Sequence, residues 1–132
     1  MVANGNVTEV VHRGPQRGPA LVFLHYFGGS SREWAGVMDQ LDGEHRCIAP
    51  DLRGFGQSGA PETGYTVRDY ADDVAALVER FELTRFHLVG HSMGGKVALA
   101  FAARRPPGLE GVVLLAPSPP TPEPIGAAER AR

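Results

Sequence analysis

In Gly90-His91-Ser92-Met93-Gly94 a serine stands midway between two glycines, and such a serine can carry out acyl transfer if a sharp turn thrusts its hydroxyl outward. The preceding run, Phe86-His87-Leu88-Val89, reads as a buried strand. The following run, to about Arg104, reads as a helix that Pro106 and Pro107 end. Between such elements the glycines have a mechanical purpose, because a side chain at either position would collide with the neighbouring strand or helix. The start of that helix also presents free N–H groups and the positive end of its dipole, which makes the Met93 N–H a natural donor to an anionic tetrahedral intermediate. The competing reading is a glycine-rich strand-to-helix turn with an incidental serine.

The elements that must position this turn follow from patterning. Val7 to His12 reads as a short strand without an obvious pairing partner, and Ala20-Leu21-Val22-Phe23-Leu24 as a strand buried on both faces. Ser30 with Glu33 forms a capping-box pattern ahead of Trp34, Val37, Met38 and Leu41 at helical spacing, and Gly43 marks the end. Cys47-Ile48-Ala49 is a short strand that runs into the glycine-rich loop Pro50 to Gly59. Thr66 and Asp69 repeat the capping pattern on a helix that places Tyr70, Val74, Leu77, Val78 and Phe81 on its apolar face, with Asp72 and Asp73 on a solvated one. Val112 to Ala116 is the last strand. Alternating strands and helices imply right-handed crossovers and an α/β architecture, a mostly parallel sheet with helices on both faces.

With these elements in order, the chain from Val7 to Pro117 resembles the α/β-hydrolase family at several points. Leu24-His25-Tyr26-Phe27-Gly28-Gly29 looks like the family's oxyanion loop, Pro50 to Ser58 like the loop after its fourth strand, and Gly90 to Gly95 like its nucleophile elbow. The resemblance implies a serine hydrolase of ester or related acyl bonds, with Ser92 forming an acyl-enzyme and the Phe27 and Met93 N–H groups holding the oxyanion. The lack of any Cys/His spacing pattern removes the usual zinc frameworks, and no cofactor and no metal are expected. Perhydrolysis or C–C bond hydrolysis on the same scaffold stays open, whereas an aspartate-nucleophile chemistry is disfavoured by Ser92 itself. Tyr26 stands where many members have glycine; a residue of its bulk takes positive φ only at a cost and is expected to narrow the acyl pocket.

None of the five histidines, His12, His25, His45, His87 and His91, reads as a catalytic base; His25 and His91 are expected to organise loops. Asp51 and Arg53 read as ties of the glycine-rich loop rather than a catalytic pair. In this fold the triad runs Ser, acid, His along the chain, yet no histidine follows Ser92, and the downstream acids are Glu110, Glu123 and Glu129. Folds of this complexity commonly need roughly 200–250 residues, and the chain has 132. The expectation is therefore an N-terminal half of the domain over 1–117, truncated after about the sixth strand, with a proline-rich tail at 118–132 leading toward a missing cap. Such a half would be inactive alone and would present an unprotected sheet edge near Val113 for pairing with another chain. The rival is a non-catalytic interaction module or a fragment completed by a second polypeptide.

Composition sets outer bounds. Thirteen Lys and Arg against 15 Asp and Glu give a net charge of -2, which offers no general attraction for nucleic acid or an anionic membrane and suits a small ester-like substrate. The N-terminus lacks the pattern of a secretory signal, so a cytoplasmic location is the expectation. Cys47, the sole cysteine, reads as an inert core residue.

Overall fold

A computed structural model of the chain describes residues 1–116; the proline-rich tail expected at 118–132 lies outside them. Strands β1 (Val2–Ala3) and β2 (Asn6–Val7) form a two-stranded hairpin. Asn4 and Gly5 make its turn at φ 51° and 80°, the left-handed pair that a tight hairpin demands. Strand β3 (Val10–Arg13) belongs instead to the main sheet, where it pairs antiparallel with β5 (Arg46–Pro50). The single strand expected from Val7 to His12 is thus split. Its middle is claimed by the glycine-rich loop: Gly59 N–H donates to Val7 O, Glu9 N–H to Ser58 Oγ and Asp51 N–H to Glu9 O.

Strand β4 (Ala20–Leu24) lies between β5 and β6 (Phe86–His91), and β7 (Leu109–Leu115) follows β6 at the edge, giving the order β3-β5-β4-β6-β7. The last four pair in parallel. Because side chains alternate along a strand, Val22, Leu24, Ile48 and Leu88 enter one core with the helices α2 (Val67–Arg80) and α3 (Met93–Ala102). Phe23, Cys47 and Ala49 enter a smaller one on the opposite face. There they meet Trp34 and Met38 from a 3-10 turn (Ser31–Trp34) that leads into α1 (Ala35–Leu41). Val37, expected on that apolar face, is exposed. Cys47 is buried as expected, and desolvation, followed by the nearby Asp42 charge, raises its thiol pKa.

Two capping patterns had different outcomes. Thr66 and Asp69 form the reciprocal box at the start of α2. Ser30 instead accepts from Arg32 N–H, and Glu33 turns away from its own helix, because the tighter 3-10 turn leaves it beside the ends of β4 and β6. Strand β7 begins three residues before the expected Val112, since Leu109 already pairs with Phe86. No helix among the described residues is long and apolar enough to cross a membrane.

Candidate active site

Ser92 occupies the one-residue junction between β6 and α3 with φ 54° and ψ −113°. That is a backbone state an L-residue enters only with strain. The junction is forced by close packing. A Cβ on Gly90 would lie 2.5 Å from Gly94 O and 2.6 Å from Gly95 Cα, and one on Gly94 would lie 2.1 Å from Leu24 O. The start of α3 therefore sits directly on the end of β4, with Ser92 N–H donating to Leu115 O at 3.0 Å. Replacing Ser92 by glycine is expected to relieve strain of order 1–3 kcal/mol, less the entropy of glycine, for a net gain of about 1 kcal/mol. A urea midpoint that does not rise would show the turn to be unstrained.

The loop after β4 lies against this turn. His25 is fully buried; Leu52 N–H donates to its Nε2 at 2.9 Å, which leaves Nδ1 to donate to Tyr26 O at 2.8 Å. Both ring nitrogens are thus committed to backbone, in one tautomer. Tyr26 does not take positive φ; the left-handed step falls on Gly28, at 85°. The Tyr26 ring lies over Gly29, where a Cβ would meet it at 2.7 Å, and edge-on to His91 at 5.6 Å. Half-exposed Phe27 rests edge-on against Phe55. Among the described residues neither the Phe27 nor the Met93 N–H meets a hydrogen-bond acceptor.

Glu33 connects the two halves of the site. Its Oε1 accepts from Tyr26 N–H at 2.6 Å and its Oε2 from His91 Nδ1 at 2.8 Å. Sequence reasoning gave Glu33 a helix-capping role; the pattern S-x-x-E has no feature that distinguishes a carboxylate turned back to its cap from one turned outward.

Asp51 and Arg53 tie the glycine-rich loop to its neighbours, as expected, and each does so through its own partners. Asp51 Oδ1 accepts from Ser31 N–H and Oδ2 from Gln57 N–H. Burial alone would raise the Asp51 pKa, but these backbone donors outweigh it and hold the carboxyl below its ordinary value. Arg53 pairs with Asp73 through two hydrogen bonds of 3.0 and 2.9 Å. Asp73 is only 6% exposed, so the solvated face expected for it is corrected: the loop folds back over α2 and buries that position, while Asp72 alone stays outward and pairs with Arg104.

Burial of His25 lowers its pKa below 6.5, although its bond to Tyr26 O and the charges of Asp51 and Glu33 work in the other direction. The unfolded chain then takes up a proton first, so stability falls as pH drops below 6.5. His12, also shifted down by burial, acts in the same sense. Urea midpoints from neutral pH down to about 5 are expected to decline, less steeply in His25→Gln; an equal slope in that variant would remove His25 as a source.

Residues 19–132 match the alpha/beta hydrolase fold family. The chain belongs to that family. Curated relatives include 2-(acetamidomethylene)succinate hydrolase of Mesorhizobium japonicum, 38% identical over 74% of this chain and 35% of its own length. Another is a haloalkane dehalogenase of Bradyrhizobium diazoefficiens, 36% identical over 77% of this chain and 33% of its own. An esterase structure from Exiguobacterium antarcticum superposes with TM-score 0.84 at 30% identity, covering 90% of this chain and 45% of the esterase. The chain spans about a third of the length of these curated relatives.

In this member of the family, several other titratable groups among the described residues are engaged elsewhere. His12 accepts from Arg46 and His91 is held by Glu33. Glu110 pairs with Arg85 at the start of β7, the opposite end of the sheet from Ser92. Glu123 and Glu129 lie outside the described residues.

Proposed function

We propose that Ser92 is the nucleophile of a serine hydrolase acting on ester or related acyl bonds. The observation that supports this reading best is the strained Ser92 backbone, held between two glycines that admit no Cβ, at the head of α3. Ser92 Oγ attacks the acyl carbonyl carbon and gives its proton to a base. The oxyanion lies between the Phe27 and Met93 N–H groups, and collapse expels the alcohol to leave an acyl-enzyme that water hydrolyses.

The base is supplied from outside these 132 residues, because no histidine follows Ser92 and those before it are held in other bonds or lie away from it. The chain alone is then nearly inactive, since loss of the base leaves only the effects of binding and the oxyanion hole. The segment that supplies the base continues the sheet along β7 and carries an acid and a histidine, either as more of the same chain or as a second polypeptide. Two features support that occupant: the chain spans only about a third of its curated relatives, and Val113 and Leu115 are 48% and 46% exposed on the edge strand. Unsatisfied edges associate. Wild-type protein is expected to self-associate with rising concentration in size-exclusion chromatography, and Val113→Lys to remain monomeric; association unchanged by that charge would place the contact elsewhere.

A base can also be provided chemically. Imidazole is expected to accelerate covalent labelling of wild-type protein by a fluorophosphonate, with no adduct in Ser92→Ala. Failure to label with imidazole present, or an adduct that persists without Ser92, would reject Ser92 as the nucleophile.

A further inference from the structure

We infer that Glu33 is a positioning residue that sets the separation between the nucleophile and the oxyanion donors, an inference that rests on the reading of Ser92 as nucleophile. Its two bonds fall on matched places in the chain. Tyr26 immediately precedes Phe27, and His91 immediately precedes Ser92; one carboxylate therefore grips the residue before a proposed oxyanion donor and the residue before the proposed nucleophile. Among the described residues nothing else ties these two positions through a charged group, although the Tyr26 and His91 rings also touch at 5.6 Å.

The carboxylate can act as a spacer because its own backbone is fixed. The neighbouring Trp34 is 3% exposed and packs on Phe23 at 5.1 Å, and the Glu33 N–H donates to Ser30 O. Only 18% of the Glu33 side chain is exposed, and hydrogen bonds to a charged acceptor are stronger than neutral ones. An oxyanion hole works by donors fixed before charge develops, so a loosened loop loses transition-state binding without unfolding the protein. Glutamine can replace the bridge: its amide oxygen accepts from Tyr26 N–H, and its NH2 donates to His91 Nδ1 once that ring carries its proton on Nε2. Alanine removes both bonds.

The test uses the full chain and an alkylboronic acid. Its boron forms a bond to Ser92 Oγ, the hydroxyl proton passes to buffer, and the resulting tetrahedral boronate anion occupies the oxyanion position without any leaving group. Boronate affinity is expected to fall about tenfold in Glu33→Ala and to stay within about threefold of wild type in Glu33→Gln, a smaller loss than removal of a donor outright. Equal affinity in wild type and Glu33→Ala would overturn the proposal. A loss in Glu33→Gln as large as in alanine would overturn it too, by showing that charge and not the paired bonds matters. If wild type forms no adduct even with imidazole present, the reading of Ser92 fails, and the amide resonances of Phe27 and Met93 decide the positioning claim separately. Movement of both in Glu33→Ala, with Leu77 unmoved, supports it; their staying in place overturns it.

Discussion

Gly94→Ala is expected to destabilise the fold by roughly 3 kcal/mol or more, near the upper end for overpacking. The added Cβ would lie 2.1 Å from Leu24 O, 2.5 Å from Leu24 C and 2.7 Å from His25 O. All three are backbone atoms of β4 and the loop behind it, so no side chain can rotate away; α3 would have to lift from the sheet. The same lift would carry Met93 N–H away from Phe27 N–H. Gly36→Ala in α1 is the control, since its Cβ would meet nothing within 4 Å and alanine favours a helix by up to about 1 kcal/mol. Urea midpoints of the two variants should move in opposite directions, and a Gly94→Ala protein as stable as wild type would refute the close packing of helix on strand.

Asp73→Ala carries the second large effect, about 3–5 kcal/mol, the cost of leaving a buried charge without its partner. Arg53 is 8% exposed, and among the described residues its guanidinium reaches, apart from Asp73, only Gly64 O, at 3.3 Å. Asn4 Nδ2 loses its acceptor as well. Adding Arg53→Met to Asp73→Ala should recover part of the loss, because an apolar side chain carries no desolvation penalty. A single-variant cost below about 1 kcal/mol, as for an exposed pair, would contradict the burial of this bridge.

The contrast between these two sites shows what a sequence makes legible. Gly90 and Gly94 flank a serine between a strand pattern and a helix pattern, and steric exclusion at such a turn follows from local geometry alone. The strand over Ala20–Leu24, the first four residues of the strand Phe86–His91, and the apolar face of α2 through Tyr70, Val74 and Leu77 were readable for a similar reason: period and composition are local. Asp73 was misread because it stands beside Asp72 and was assigned with it to a solvated face, while the Arg53 that pairs with it lies 20 residues away in sequence. Glu33 was misread because its partners, Tyr26 and His91, converge only after β4 and β6 have paired. The loop after β4 required no glycine at Tyr26, since the left-handed turn falls two residues later, at Gly28.

The most direct test of the central claim, that Ser92 is a nucleophile whose base is not contained in these residues, is intact-mass measurement after fluorophosphonate treatment without imidazole. Folded wild-type protein and Ser92→Ala are compared, with circular dichroism verifying the fold of both. The account predicts that neither protein gains mass over the time in which a complete serine hydrolase is labelled fully. A stoichiometric adduct on wild type that is missing from Ser92→Ala would contradict it, by showing that a base for Ser92 exists within this chain.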